Sequence, residues 1–139
     1  MTEPATFPYQ RKESFLTPAE IAYFKVLRVI FANKYLIFAR VSVLDLCDVL
    51  DRPLNQEAFD KIDRKQVDFV LCHPRTFKPM VAIELEDASH DLPDGRTRDE
   101  FLDEVFRVIG MKLVRQRFRH SYSVAEVTQT VEAAIAAAA

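Results

Sequence analysis

Two carboxylates, Glu84 and Glu86, stand two residues apart in the run Val81-Ala82-Ile83-Glu84-Leu85-Glu86, and a third, Asp68, interrupts Val67-Asp68-Phe69-Val70-Leu71. Side chains alternate across a strand, so in an extended chain Glu84 and Glu86 share a face with Ala82, while Val81, Ile83 and Leu85 face the other way. The same parity groups Asp68 with Gln66, Val70 and Cys72, and sets Val67, Phe69 and Leu71 opposite. A carboxylate inside an apolar strand is costly unless it has a partner. If the strands pair with Asp68 beside the Glu84 and Glu86 end, three carboxylates converge, and protons or a divalent cation must relieve their repulsion. Hard oxygen donors favour Mg²⁺ or Mn²⁺. Such a centre activates water for phosphodiester hydrolysis. The bland arrangement is a solvated sheet face, or acids paired with Arg and Lys of a neighbouring helix.

Other side chains can join this chemistry. Glu20 falls on a helical face with Phe24, Leu27 and Phe31, which turns it toward the core, and it also completes a T-x-x-E capping box with Thr17. His90 follows Glu86 by four residues, near enough to hold a water or a phosphate or to act as general acid. Arg96 and Arg98 are basic residues beside the acids. A second basic run, Lys112 to His120, carries Lys112, Arg115, Arg117 and Arg119 with Phe118 interleaved, a pattern that can follow a nucleic-acid backbone or simply protect an edge strand. His73 and His120 lack partner spacing, and three histidines with two cysteines scattered in this way disfavour structural zinc.

The elements that must position these residues are legible in the same sequence. Thr17, Pro18 and Glu20 open a helix over about Pro18 to Ala32, apolar enough for most of its circumference to be covered. Tyr35 to Leu44 is β-branched and aromatic, a strand at a sheet edge or in a hairpin. Asp45 to Lys65 is an excursion with a short helix over Gln56 to Ile62. Gln66 to Cys72 and Pro79 to Glu86 form an antiparallel pair across a proline-marked loop. Asp87 to Arg96 is a polar loop, Thr97 to Ile109 a helix stopped by Gly110, and Lys112 to Arg115 a short strand. Ser123 and Glu126 cap a last helix that runs into the terminal alanines. Residues 1–15 form an extended lead-in and 16–139 one domain. The fold class is α/β, a mixed four-stranded sheet flanked by helices.

Composition narrows the functions. In 139 residues there are 19 basic and 21 acidic side chains, a net charge of -2, so any nucleic-acid contact must come from a local patch. Only two glycines occur, which removes phosphate-cradling loops of the dinucleotide-fingerprint type. Cys47 and Cys72 lack CxxC spacing and read as buried thiols of a reducing compartment. No apolar run reaches the roughly 18 residues of a membrane span, and the first residues lack a signal-peptide core. A cytoplasmic protein with no membrane contact is expected.

The element order and the two acid-bearing strands resemble the restriction-endonuclease-like, or PD-(D/E)xK, nuclease superfamily, whose core runs helix, three strands, helix, strand. IELEDASH is similar to the IELDG-x-x-H signature of relatives near the very-short-patch-repair endonucleases. More narrowly, YQRKESFLTPAE, RKQVDFVLC, AIELEDASH and the segment from Gly110 to Tyr122 resemble a bacterial family, domain of unknown function family 2726, from about Tyr9 onward. The resemblance implies that Asp68 and Glu84 ligate Mg²⁺ or Mn²⁺ with the Leu85 carbonyl, Glu86 joining them or acting as base. It also implies that Glu20 is the acid such nucleases carry on their first helix. Glu86 stands where the superfamily motif has lysine. Lys65, at the start of the neighbouring strand, is a candidate substitute, although strict alternation points it to the opposite face, and the alternative is a solvated lysine; Lys112 is a weaker candidate. The expected function is metal-dependent cleavage of DNA, the alternative an inactive nuclease fold that binds nucleic acid or protein.

Overall fold

The computed structural model describes residues 6–87 and 92–138. These form a mixed α/β fold, a four-stranded sheet with helices on both faces. Residues 6–16 carry no helix or strand. Helix α1 spans Pro18–Phe31 and opens on a complete capping box: the Thr17 hydroxyl accepts from the Glu20 N–H at 3.2 Å, and the Glu20 carboxylate accepts from the Thr17 N–H at 2.8 Å. Its buried stripe is Glu20, Tyr23, Leu27 and Phe31. This corrects the expectation of a helix covered on most sides: Val29 is exposed and Phe24 half-buried, because one sheet face can cover only one stripe.

Strands β1 (Leu36–Ser42), β2 (Gln66–Cys72), β3 (Pro79–Glu86) and β4 (Lys112–Arg117) lie in sheet order β1-β2-β3-β4. The first two pairings are antiparallel, whereas β3 and β4 are parallel. A parallel pair needs a crossover, and helix α3 (Pro93–Ile109) belongs to that connection. It begins four residues earlier than the expected Thr97, with Pro93 in its first turn and Asp94 favouring the positive end of the helix. The break at its far end is as expected: Gly110 takes φ 74°, a left-handed stop that a residue with a Cβ adopts at a cost. Strand β4 runs two residues past Arg115. Helix α2 (Gln56–Ile62) and two short 3₁₀ turns, Val43–Asp45 and Arg52–Leu54, make up the excursion between β1 and β2.

Two apolar layers sandwich the sheet. On one face α1 and α4 (Val124–Ala137) pack Tyr23, Leu27, Phe31, Val127 and Val131 against Phe69, Leu71, Val81, Ile83 and Val114. On the other, Leu102 and Phe106 of α3 with Val43 and Ile62 of the excursion cover Val67, Val70, Cys72 and Ala82. Val67 thus sits opposite Phe69 and Leu71, against the strict parity expected of it, and in β1 Val41 likewise changes sides from Ile37 and Ala39. Both switches occur at one place. Arg40 has φ 55°, and the β1–β2 ladder pairs Ala39 with Phe69 and Val41 with Val67 but omits Arg40 and Asp68 between them. A residue in the left-handed region interrupts the pleat and turns the residues beyond it to the other face.

Candidate functional site

Asp68 lies at this break, and the sheet also opens there on its other side. The β2–β3 ladder runs Leu71 to Val81, Val70 to Ala82 and Phe69 to Ile83, and goes no further. The next pair in register is Asp68 and Glu84. Where the backbones part, the Asp68 carboxylate takes over a ladder bond, accepting from the Leu85 N–H at 2.7 Å. This satisfies an amide that the separating strand leaves without its partner. Burial pushes the Asp68 carboxyl above the ordinary carboxylate range; the Leu85 bond opposes this, the Glu84 and Glu20 charges add to it, and Arg40 offsets part.

Glu84 is 4% exposed and its neutralising partner comes from α3. Arg98 Nη2 lies 2.8 Å from Glu84 Oε1 and Nη1 lies 3.4 Å from Oε2, a two-toothed pairing, while Nη2 also donates to the Gln66 carbonyl at 3.2 Å. The hydrogen bond to Glu84 raises the Arg98 pKa further from the neutral range. Asp68, Glu84 and Arg98 line one open cavity of about 470 Å³ with Arg64, Lys65, Gln66, Leu85 and Gly95. Lys65 borders this cavity, but its charged end is directed elsewhere. Its ammonium donates to the Lys61 carbonyl and sits 5.2 Å from the Phe101 ring centre.

A second opening, about 260 Å³, adjoins Asp68 and Leu85 and is bounded by Thr17, Glu20, Arg40, Glu86, Asp87 and Phe118. Glu20 closes the capping box, and this buried residue borders the opening together with Asp68. Burial alone pushes the Glu20 carboxyl up, but the two Thr17 hydrogen bonds and Arg40, 2.9 Å away, hold it below its ordinary value. The Arg40 guanidinium also lies 6.0 Å from the Phe15 ring centre, so the lead-in touches the site.

Glu86, which borders the second opening with Asp68, meets a cation of β4. Arg115 Nε lies 3.3 Å from its carboxylate, and the same guanidinium reaches Asp99 and Asp103 of α3. Asp68 thus shares one opening with Glu84 and the other with Glu86, and among the described residues no group of three or more His, Cys, Asp or Glu is arranged to hold a metal ion. Two carboxylates still fit Mg²⁺ or Mn²⁺, which commonly take one or two from the protein and fill the remaining positions with water and substrate phosphate.

Of the six basic candidates, Arg98 and Arg115 are tied to acids within the fold, whereas Arg96 and Lys112 are exposed. Arg117 is exposed beside Glu86 in the parallel register, and exposed Arg119 lies 3.8 Å from Glu126. His90 lies outside the described residues. Three contributors escaped the sequence reading. Arg40 had a signal, since it is the lone charge in Leu36-Ile37-Phe38-Ala39-Arg40-Val41 as Asp68 is in its own strand. Asp99 and Asp103, four apart on α3, are the helical spacing that a shared cation requires.

No curated protein and no solved structure matches the chain. The family model described as protein of unknown function (DUF2726) matches residues 12–135, and the chain belongs to that family.

Proposed function

We propose that this protein is a metal-dependent phosphodiesterase acting on DNA, with Asp68 and Glu84 holding Mg²⁺ or Mn²⁺. The observation that carries this reading is the meeting of those two carboxylates where the β2–β3 ladder ends, in a cavity that also holds Lys65 and Arg98. The restriction-endonuclease-like core belongs to the same reading and is supported by the element order and the placement of acids on β2 and β3. When bound, such a cation lowers the pKa of a coordinated water and offsets charge gathering on the phosphate. The Leu85 amide fixes Asp68, and Lys65, which lines the same cavity, would orient an attacking water once its ammonium leaves the Lys61 carbonyl. Arg64, Arg98 and exposed Arg96 offer cations to the phosphodiester backbone. Cytoplasmic residence is part of this reading, supported by the free thiols Cys47 and Cys72; among the described residues no helix is long and apolar enough to cross a membrane.

A second reading, an inactive nuclease fold that binds nucleic acid or protein, is favoured by Glu86, which stands at the motif's lysine position and faces Arg115. Incubating supercoiled plasmid and labelled single-stranded DNA with Mg²⁺, Mn²⁺ or EDTA separates the two. The nuclease reading expects metal-dependent cleavage that falls by about a hundredfold or more in Glu84→Gln and in Asp68→Asn. Absence of cleavage together with absence of metal binding sinks it in favour of the binding module.

A further inference from the structure

We infer that Arg98 is an exchangeable internal cation: its guanidinium neutralises Glu84 in the metal-free protein and leaves that carboxylate when a divalent cation binds. The inference rests on the metal-site reading above and goes beyond it by naming what the cation must displace.

Three observations carry it. The pairing is two-toothed, with contacts of 2.8 and 3.4 Å that use both Glu84 oxygens, so Arg98 holds the position from which a cation would take both oxygens together. The partners differ in freedom. Glu84 is 5% exposed at its side chain and sits on a central strand, whereas the Arg98 side chain is 36% exposed and borders an open cavity of about 470 Å³ into which it can turn. Finally, an alternative station is ready, because Arg98 already lies 3.6 Å from Asp99 on its own helix. Leaving Glu84 does not strand the guanidinium without an acid, and the arriving cation relieves Glu84 of the unpaired charge that burial forbids.

Direct competition at one carboxylate is a negative coupling, and couplings of this kind are commonly worth about five- to a hundredfold in affinity. The test is calorimetric titration of Mn²⁺ into the full chain and its Arg98→Gln, Arg98→Lys and Glu84→Gln variants. Arg98→Gln is expected to bind Mn²⁺ at least about fivefold more tightly than the native protein. Arg98→Lys, which keeps the charge but not the planar fork, falls between the two. Simple repulsion at a distance instead predicts that lysine matches arginine. A second readout needs no variant: with Mg²⁺ added, the side-chain NMR signals of the Arg98 guanidinium, slowed by two-point pairing, should broaden or move as the fork is released. Equal affinity of native and Arg98→Gln proteins, with Mn²⁺ binding still lost in Glu84→Gln, overturns the exchange and leaves the metal site standing. No Mn²⁺ binding by any variant overturns both. Should Arg98→Gln fail to fold, the lysine variant and the NMR signal decide alone.

Discussion

Asp68 is held in a position that punishes its charge. Its carboxyl is pushed above the ordinary range chiefly by burial, with Glu84 and Glu20 adding repulsion. A folded-state pKa above the unfolded one contributes stability below the ordinary carboxylate range and loses it as pH rises through the folded value. Asp68→Asn keeps an oxygen for the Leu85 amide and removes the charge. In EDTA it should therefore melt higher than the native protein at neutral pH, with the gap closing below about pH 4. A variant that melts lower at neutral pH, or shares the pH profile of the native chain, contradicts this account of Asp68. Glu20 has the opposite sign, since its bonds to Thr17 and Arg40 hold it low and its contribution is lost on acidification. At this scale the sequence shows which residues are anomalous: acids inside two apolar strands marked Asp68 and Glu84. It does not show that Glu86 goes to Arg115, because that choice depends on α3 bringing Asp99 and Asp103 alongside β4.

The elements were legible where local chemistry dominates and blurred where tertiary geometry overrides it. The capping box at Thr17, the glycine stop at Gly110 and the bounds of α2, β2 and β3 come from side-chain periodicity and punctuation. The start of α3 did not, because Asp94 and Gly95 are weak helix formers until Pro93 fixes the first turn. Nor did the turnover of the pleat at Arg40, where an arginine takes a left-handed conformation without glycine or asparagine to announce it. The capping box is the element feature closest to the site. Thr17→Ala removes the acceptor for the Glu20 amide and is expected to cost about 1 kcal/mol of stability in urea, with an unchanged denaturant slope, while Thr17→Ser stays within a few tenths. The alanine variant keeps the residue-17 amide on the Glu20 carboxylate but loses the hydroxyl, so that carboxyl should rise part of the way toward its ordinary value, visible as a shift in its NMR titration; no shift would mean that the backbone amide and Arg40 set it without the hydroxyl.

Across the whole molecule, the parting ends of the central strands β2 and β3, α3 and the end of the excursion meet at the Asp68 and Glu84 cavity, while α1 brings Glu20 to the neighbouring opening from the opposite layer. The apolar face of α4 is used within the core, with Val127 and Val131 buried against the sheet. A balanced net charge hides local order: acids sit inside where strands part, and arginines either neutralise them or face outward. Function was therefore visible in the sequence as a set of candidate acids, not as an assembled centre, since parity alone cannot tell two converging carboxylates from three. The central claim is that Asp68 and Glu84 together hold a divalent cation against a DNA phosphate. Anomalous X-ray scattering from Mn²⁺ in crystals grown with a short DNA duplex tests it most directly. The account predicts an Mn²⁺ peak in contact with both carboxylates and a phosphate oxygen, with Arg98 turned from Glu84. A peak elsewhere, or DNA bound with the Arg98 and Glu84 pair intact and no Mn²⁺ between Asp68 and Glu84, contradicts it.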